Sequence, residues 1–63
     1  MKNNLQQLRW EKNWSQQQLS LYSGVRKNLI GKIENGNVET PTARTALLLA
    51  QALKVSVEDI FSL

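Results

Sequence analysis

Arg26, Lys27, Asn28 and Lys32 lie in one short stretch, "RKNLIGK", with no acidic residue before Glu34. These side chains recognise by hydrogen bonding and charge; none is a nucleophile. An asparagine amide offers a donor and an acceptor that match N6 and N7 of adenine, and a lysine ammonium reaches O6 and N7 of guanine. Arg26 can serve a base edge or a phosphate. The chemistry implied is readout of base edges in the major groove of a DNA duplex, although three cations among polar residues are more often only a solvated face. Over the whole chain eight Lys and Arg oppose five Asp and Glu, a net charge of +3, which suits a polyanionic partner. The charge is also polarised, because Glu39, Glu58 and Asp59 lie downstream of the cationic stretch.

Composition excludes other chemistries. Without cysteine or histidine there is no disulfide framework, no thiol nucleophile and no usual zinc arrangement. The carboxylates are scattered among caps and expected ion pairs, so no catalytic residue, no metal site and no cofactor is expected.

The elements that position this stretch are set by their punctuation. "NNLQQLRWEKN" spaces Leu5 and Leu8 as an amphipathic helix from about Asn4 to Lys12, ended by Asn13 in the left-handed conformation. In "WSQQQL", Ser15 and Gln18 form an S-x-x-Q capping box and Trp14 and Leu19 a hydrophobic staple, so a second helix begins at Gln16. "SGV" at residues 23–25 breaks it at a tight corner, with Gly24 taking a positive φ. "RKNLIGKIENG" runs as a third helix of about ten residues, with Gly36 at the position just past its end. Either Thr40 with Pro41, or Thr42, caps the fourth helix, "ARTALLLAQALKV". Its Ala46, Leu49, Ala50 and Leu53 form one apolar stripe, widened by Leu47 and Leu48, and it is expected to be the most buried element. "VSVEDIF" repeats the box with Ser56 and Asp59 and the staple with Val55 and Ile60, starting a short fifth helix that runs to the end. The pattern is all-α with short connections, a single domain over residues 1–63, and a chain of this length buries only about 60% of its unfolded surface.

At about 100° per residue, Ile30 and Ile33 fix the buried side of the third helix and Asn28, Gly31, Lys32 and Asn35 cluster opposite. Gly31 is a puzzle there, since glycine in a helix interior costs about 1 kcal/mol relative to alanine. Either the missing side chain permits close approach to a groove wall, or an exposed glycine is merely tolerated. Gln18 has a capping role, which leaves Gln16 and Gln17 pointing outward at a helix N-terminus suited to phosphate oxygens. Arg9 stands among core-facing leucines and Glu34 beside Ile33, so a partly buried ion pair is expected. Leu29 sits at the edge of the buried arc, in the core first and against a thymine methyl second. Leu21 and Tyr22 either pack on the first helix or form a partner patch.

"WSQQQLSLYSGVRKNLIGKIENG" resembles the helix-turn-helix of the Cro and phage-repressor family of DNA-binding proteins. Arg9, the "IENG" ending at Gly36, Pro41, "LLLAQAL" and "VSVEDIF" extend the likeness over nearly the whole chain. The resemblance implies a compact five-helix bundle in which helices 2 and 3 form the helix-turn-helix, the third entering the major groove and the second crossing the phosphate backbone. It implies base contacts from Lys27, Asn28 and Lys32, phosphate contacts from Gln16 and Asn35, a brace from Gln16 to the third helix, and the Arg9–Glu34 pair. Arg26 joins the base-contacting set, and Gln17 and Thr42 join the phosphate-contacting set. Departures from the pattern are Ser20 where alanine is usual, Lys54 where glycine often follows the fourth helix, and Arg26 where a Ser or Thr cap is usual. Val38 and Glu39 occupy a loop that is basic in many phage repressors, so affinity rests on fewer cations.

Relatives of this kind usually bind as dimers with recognition helices about 34 Å apart. Ile60, Phe61 and Leu63 are the candidate dimer contacts, although Ile60 and Phe61 can also simply close the core, the reading favoured for Ile60, whereas the interface is favoured for Leu63. The longest apolar run, Ala46 to Ala50, is far shorter than the roughly 20 residues of a bilayer span. The start lacks the features of a secretory signal, so a cytoplasmic, nucleoid-associated protein is expected. The functional expectation is a sequence-specific regulator, a repressor acting as a homodimer on a palindromic operator. The rival is a protein-interaction module such as an antitoxin or anti-repressor partner.

Overall fold

A computed structural model describes residues 3–36 and 41–61. The helices run in the order α1 (Leu5–Glu11), α2 (Gln16–Ser23), α3 (Lys27–Glu34), α4 (Ala43–Leu53) and α5 (Val57–Ile60), and no strand occurs among the described residues. Apart from α4, none exceeds eight residues, too short to be stable alone in water. Caps and a shared core hold them.

The caps follow the punctuation. Ser15 Oγ accepts from Gln18 N and Gln18 Oε1 accepts from Ser15 N, closing the box at the head of α2. Ser56 and Asp59 close the same box on α5. Asn13 stands at φ 60° and Gly24 at φ 80°, the left-handed values expected of both. Gly36, at φ 78°, follows the end of α3. Thr42 caps α4 by accepting from Thr45 N, which leaves Pro41 outside the helix; Thr40, the other candidate, lies outside the described residues. Arg26 stands at the head of α3 without a side-chain cap bond.

The core consists of Leu5, Leu19, Val25, Ile30, Ile33, Leu49, Ala50, Leu53 and Ile60. The buried stripe of α4 is the expected one, Ala46, Leu49, Ala50 and Leu53. Leu48 packs partly against the core, but Leu47 is 53% exposed, because the stripe of an eleven-residue helix is narrower than the run of leucines. Each fully buried leucine contributes enough that truncation to alanine costs about 2–5 kcal/mol. Leu21 is 75% exposed and so does not pack on α1, while the Tyr22 ring lies 4.7 Å from that of Trp14.

Two asparagines at the start of the chain fasten the bundle in a way that spacing does not announce. Asn3 Nδ2 donates to Ile33 O in the last turn of α3 at 2.8 Å, and Asn4 Nδ2 donates to Asp59 O at 2.9 Å. The Asn4 backbone N–H reaches Ile60 O at 2.9 Å. The bonds to Asp59 O and Ile60 O satisfy carbonyls at the end of α5, and that to Ile33 O adds to the bond the same carbonyl accepts from Gly36 N.

Candidate nucleic-acid interface

The corner before α3 is tight because Ser23, itself buried, accepts from Val25 N through Oγ while Val25 enters the core. Gly24 N donates to Ser20 O at 2.9 Å and closes α2. The chain therefore leaves α2 and begins α3 within three residues, and α3 is pinned from within by Ile30 and Ile33, both fully buried.

A polar anchor pins α3 from the other side. Arg9 donates to Glu34 through Nε at 2.8 Å and Nη2 at 3.1 Å, and through Nη1 to Trp14 O at 2.8 Å. Gln16 Nε2 donates to the same Glu34 at 3.1 Å. The Glu34 side chain is 1% exposed, so α1, through Arg9, and α2, through Gln16, converge on one buried carboxylate of α3, and Arg9 also ties in the α1–α2 turn at Trp14. Its charge is compensated by the paired guanidinium geometry that makes such a site tolerable in a low dielectric. Gln16 is thus turned partly inward, half-buried, not outward like Gln17.

The outward side of α3 carries Lys27, Asn28, Lys32 and Asn35, all exposed, with Arg26 exposed at its head. Among the described residues none of Arg26, Lys27 and Lys32 pairs with a carboxylate. Asn28 and Lys32, one turn apart, form a ridge between two hollows. The hollow on the α2 side, about 330 Å³, is lined by Gln16, Lys27, Asn28, Gly31, Lys32 and Asn35. The other, about 200 Å³, is lined by Arg26, Asn28, Leu29 and Lys32. Gly31 is the floor of the first, and a Cβ added there would lie 3.8 and 3.9 Å from the Gln16 amide, an ordinary contact. Folding does not require glycine at that position.

The remaining expected contacts divide. Thr42 is exposed at the head of α4, but its hydroxyl accepts from Thr45 N and donates to Thr45 Oγ1. Ile60 is a correction: expected among the dimer contacts, it is wholly buried in the core, because the staple of α5 turns it inward. Phe61 is half-buried against the core, and Leu63 lies outside the described residues. Sequence reasoning missed Asn3, Asn4 and Ser23; only Ser23 had a visible signal, as the small hydroxyl before a turn glycine. No helix is long and apolar enough to cross a membrane, and no cluster of three potential metal ligands occurs, both among the described residues.

A short helix fixed in register by a tight turn, backed by a second helix and presenting cations outward, defines a class. Residues 5–60 match the family model described as helix-turn-helix, and the chain belongs to the helix-turn-helix DNA-binding family of the Cro and phage-repressor type. Among its relatives in Bacillus subtilis (strain 168), it is 40% identical over 58 residues to RghRB, described as an uncharacterized HTH-type transcriptional regulator. It is 41% identical over 56 residues to RghR, an HTH-type transcriptional repressor. These alignments cover 92% and 89% of this chain but 42% of each relative, so the chain spans less than half the length of the curated relatives it matches.

Proposed function

We propose that the chain is a sequence-specific double-stranded-DNA-binding regulator of transcription, a repressor, which acts as a homodimer on a palindromic operator with α3 in the major groove. The observation that carries this reading is the outward side of α3, a ridge of Asn28 and Lys32 flanked by Arg26 and Lys27, on a helix whose inner side is pinned at Ile30, Ile33 and Glu34. Arg26, Lys27, Asn28 and Lys32 contact base edges, with Asn28 bidentate to adenine. Gln16, Gln17 and Asn35 contact phosphates, and Thr42 does so once its hydroxyl releases Thr45. In this role Gln16 uses its second amide N–H, the first being held by Glu34. The repressor description of one relative supports repression as the output. Phe61 and Leu63 supply the dimer contact.

The test is selection from randomised duplexes followed by titration across salt. A palindromic consensus is expected, with log K falling against log salt by about 0.9 for each phosphate neutralised. A flat salt response with no enriched sequence would sink the reading in favour of a protein-interaction module. Dimerisation is checked by analytical ultracentrifugation of Phe61→Ala and Leu63→Ala, whose unchanged dimer would remove those contacts.

A further inference from the structure

The two hollows beside the Asn28–Lys32 ridge differ in one chemical respect. The hollow on the α2 side has no apolar side chain in its lining, whereas the other has Leu29. Leu29 packs against the core with part of its surface and stays half-exposed with the rest. Its position is therefore fixed by packing, and it offers a small, preformed apolar surface amid Arg26, Asn28 and Lys32. On the edges of the base pairs in a major groove one group is apolar, the C5 methyl of thymine. The aliphatic stems of Arg26 and Lys32 extend the apolar wall while their charged ends remain free to reach neighbouring base edges.

We propose that Leu29 seats a thymine C5 methyl and makes this flank of α3 the thymine-selecting side of the interface. The inference rests on the reading that α3 enters the major groove, and it adds a base and an atom to that reading. Asn28 and Lys32 set the depth of insertion, and the methyl enters the hollow between Lys32 and Arg26 against Leu29. The α2-side hollow, whose lining has no residue with an apolar side chain end, carries no such preference.

Thymine and deoxyuridine pair identically and differ only by this methyl, so they provide the test. Each thymine of one selected operator half-site is replaced in turn by deoxyuridine, and Kd is measured by fluorescence anisotropy for the unaltered protein and for Leu29→Ala. One thymine per half-site is expected to matter: its replacement weakens the unaltered protein about fourfold, the equivalent of about 0.8 kcal/mol for one buried methyl. In Leu29→Ala the same replacement is expected to be nearly neutral. If every replacement is neutral in the unaltered protein, or if Leu29→Ala keeps the full loss, the seat does not exist. Should Leu29→Ala fail to fold, the series on the unaltered protein decides alone. A protein that forms no specific complex with any duplex would overturn the reading of α3 itself, a result distinct from specific binding that ignores the methyl.

Discussion

Replacing Gly31 by alanine separates what α3 requires for folding from what it requires for binding. The added Cβ would meet only the Gln16 amide, at 3.8 and 3.9 Å, within ordinary van der Waals contact. Nothing in the folded chain resists it, so the change recovers the helix propensity that glycine sacrifices, about 0.5–1 kcal/mol. In a domain of this size that raises Tm by roughly 2–8 °C. Binding moves the other way if the floor of the α2-side hollow receives a groove wall, because a methyl there holds α3 off its target. Overpacking of a fitted surface costs about 1–3 kcal/mol, or about thirtyfold in Kd at the middle of that range. Thermal melts by circular dichroism and operator titration by anisotropy on one preparation read both effects. A Gly31→Ala protein that is more stable and binds with unchanged Kd would show that the glycine is merely tolerated. A less stable one would show that the space beside Gln16 has been misjudged.

Asn28→Ala is expected to cost about 1–3 kcal/mol in operator affinity and to relax preference at a single base pair, seen as a changed ranking of operator variants. Gln16→Ala is expected to weaken all sequences alike in the same ranking assay. Glu34→Ala leaves the Arg9 guanidinium buried without its partner and is expected to lose about 3–5 kcal/mol in urea unfolding, while the double change Arg9→Met with Glu34→Leu recovers much of that loss. Lys54 holds φ 58° and ψ 43° at the end of α4, a conformation that disfavours a side chain by about 1 kcal/mol or more, so Lys54→Gly is expected to raise the urea midpoint by a comparable amount of stability.

Several helix boundaries were legible because they are marked locally: Ser15 with Gln18, Ser56 with Asp59, and glycines 24 and 36 act within a few residues of themselves. The α4 stripe was legible for the same reason, as a helical period set against a polar background. Where information had to travel between elements, sequence said less. Leu47 has the spacing to widen the stripe, yet which of several adjacent leucines faces inward depends on where α2 and α5 press on α4. Ile60 has a staple position that favours the core, yet it also stands as a candidate surface contact, because a four-residue helix has too few turns to define an inner side. The bonds of Asn3 and Asn4 join residues 30 and 55 positions apart, and no local pattern encodes them. Lys54 takes a left-handed turn that glycine would mark, so the end of α4 is hidden by its own residue type. In the interface, the inward turn of Gln16 toward Glu34 depends on the meeting of α2 and α3; its position beside a capping box suggests only an exposed amide, and the brace to α3 was legible only through the family resemblance.

The convergence of three helices on Glu34 divides the protein into a part that must stay constant and a part that is free to vary. Arg26, Lys27, Asn28 and Lys32 make no side-chain hydrogen bond to the rest of the chain among the described residues, so only helix capping and propensity tie the fold to their identities. If α3 reads duplex edges as proposed, exchanging them alters which sequences are bound while the carboxylate anchor keeps the rod aimed, so new binding preferences can arise through a handful of surface changes that leave the bundle folded.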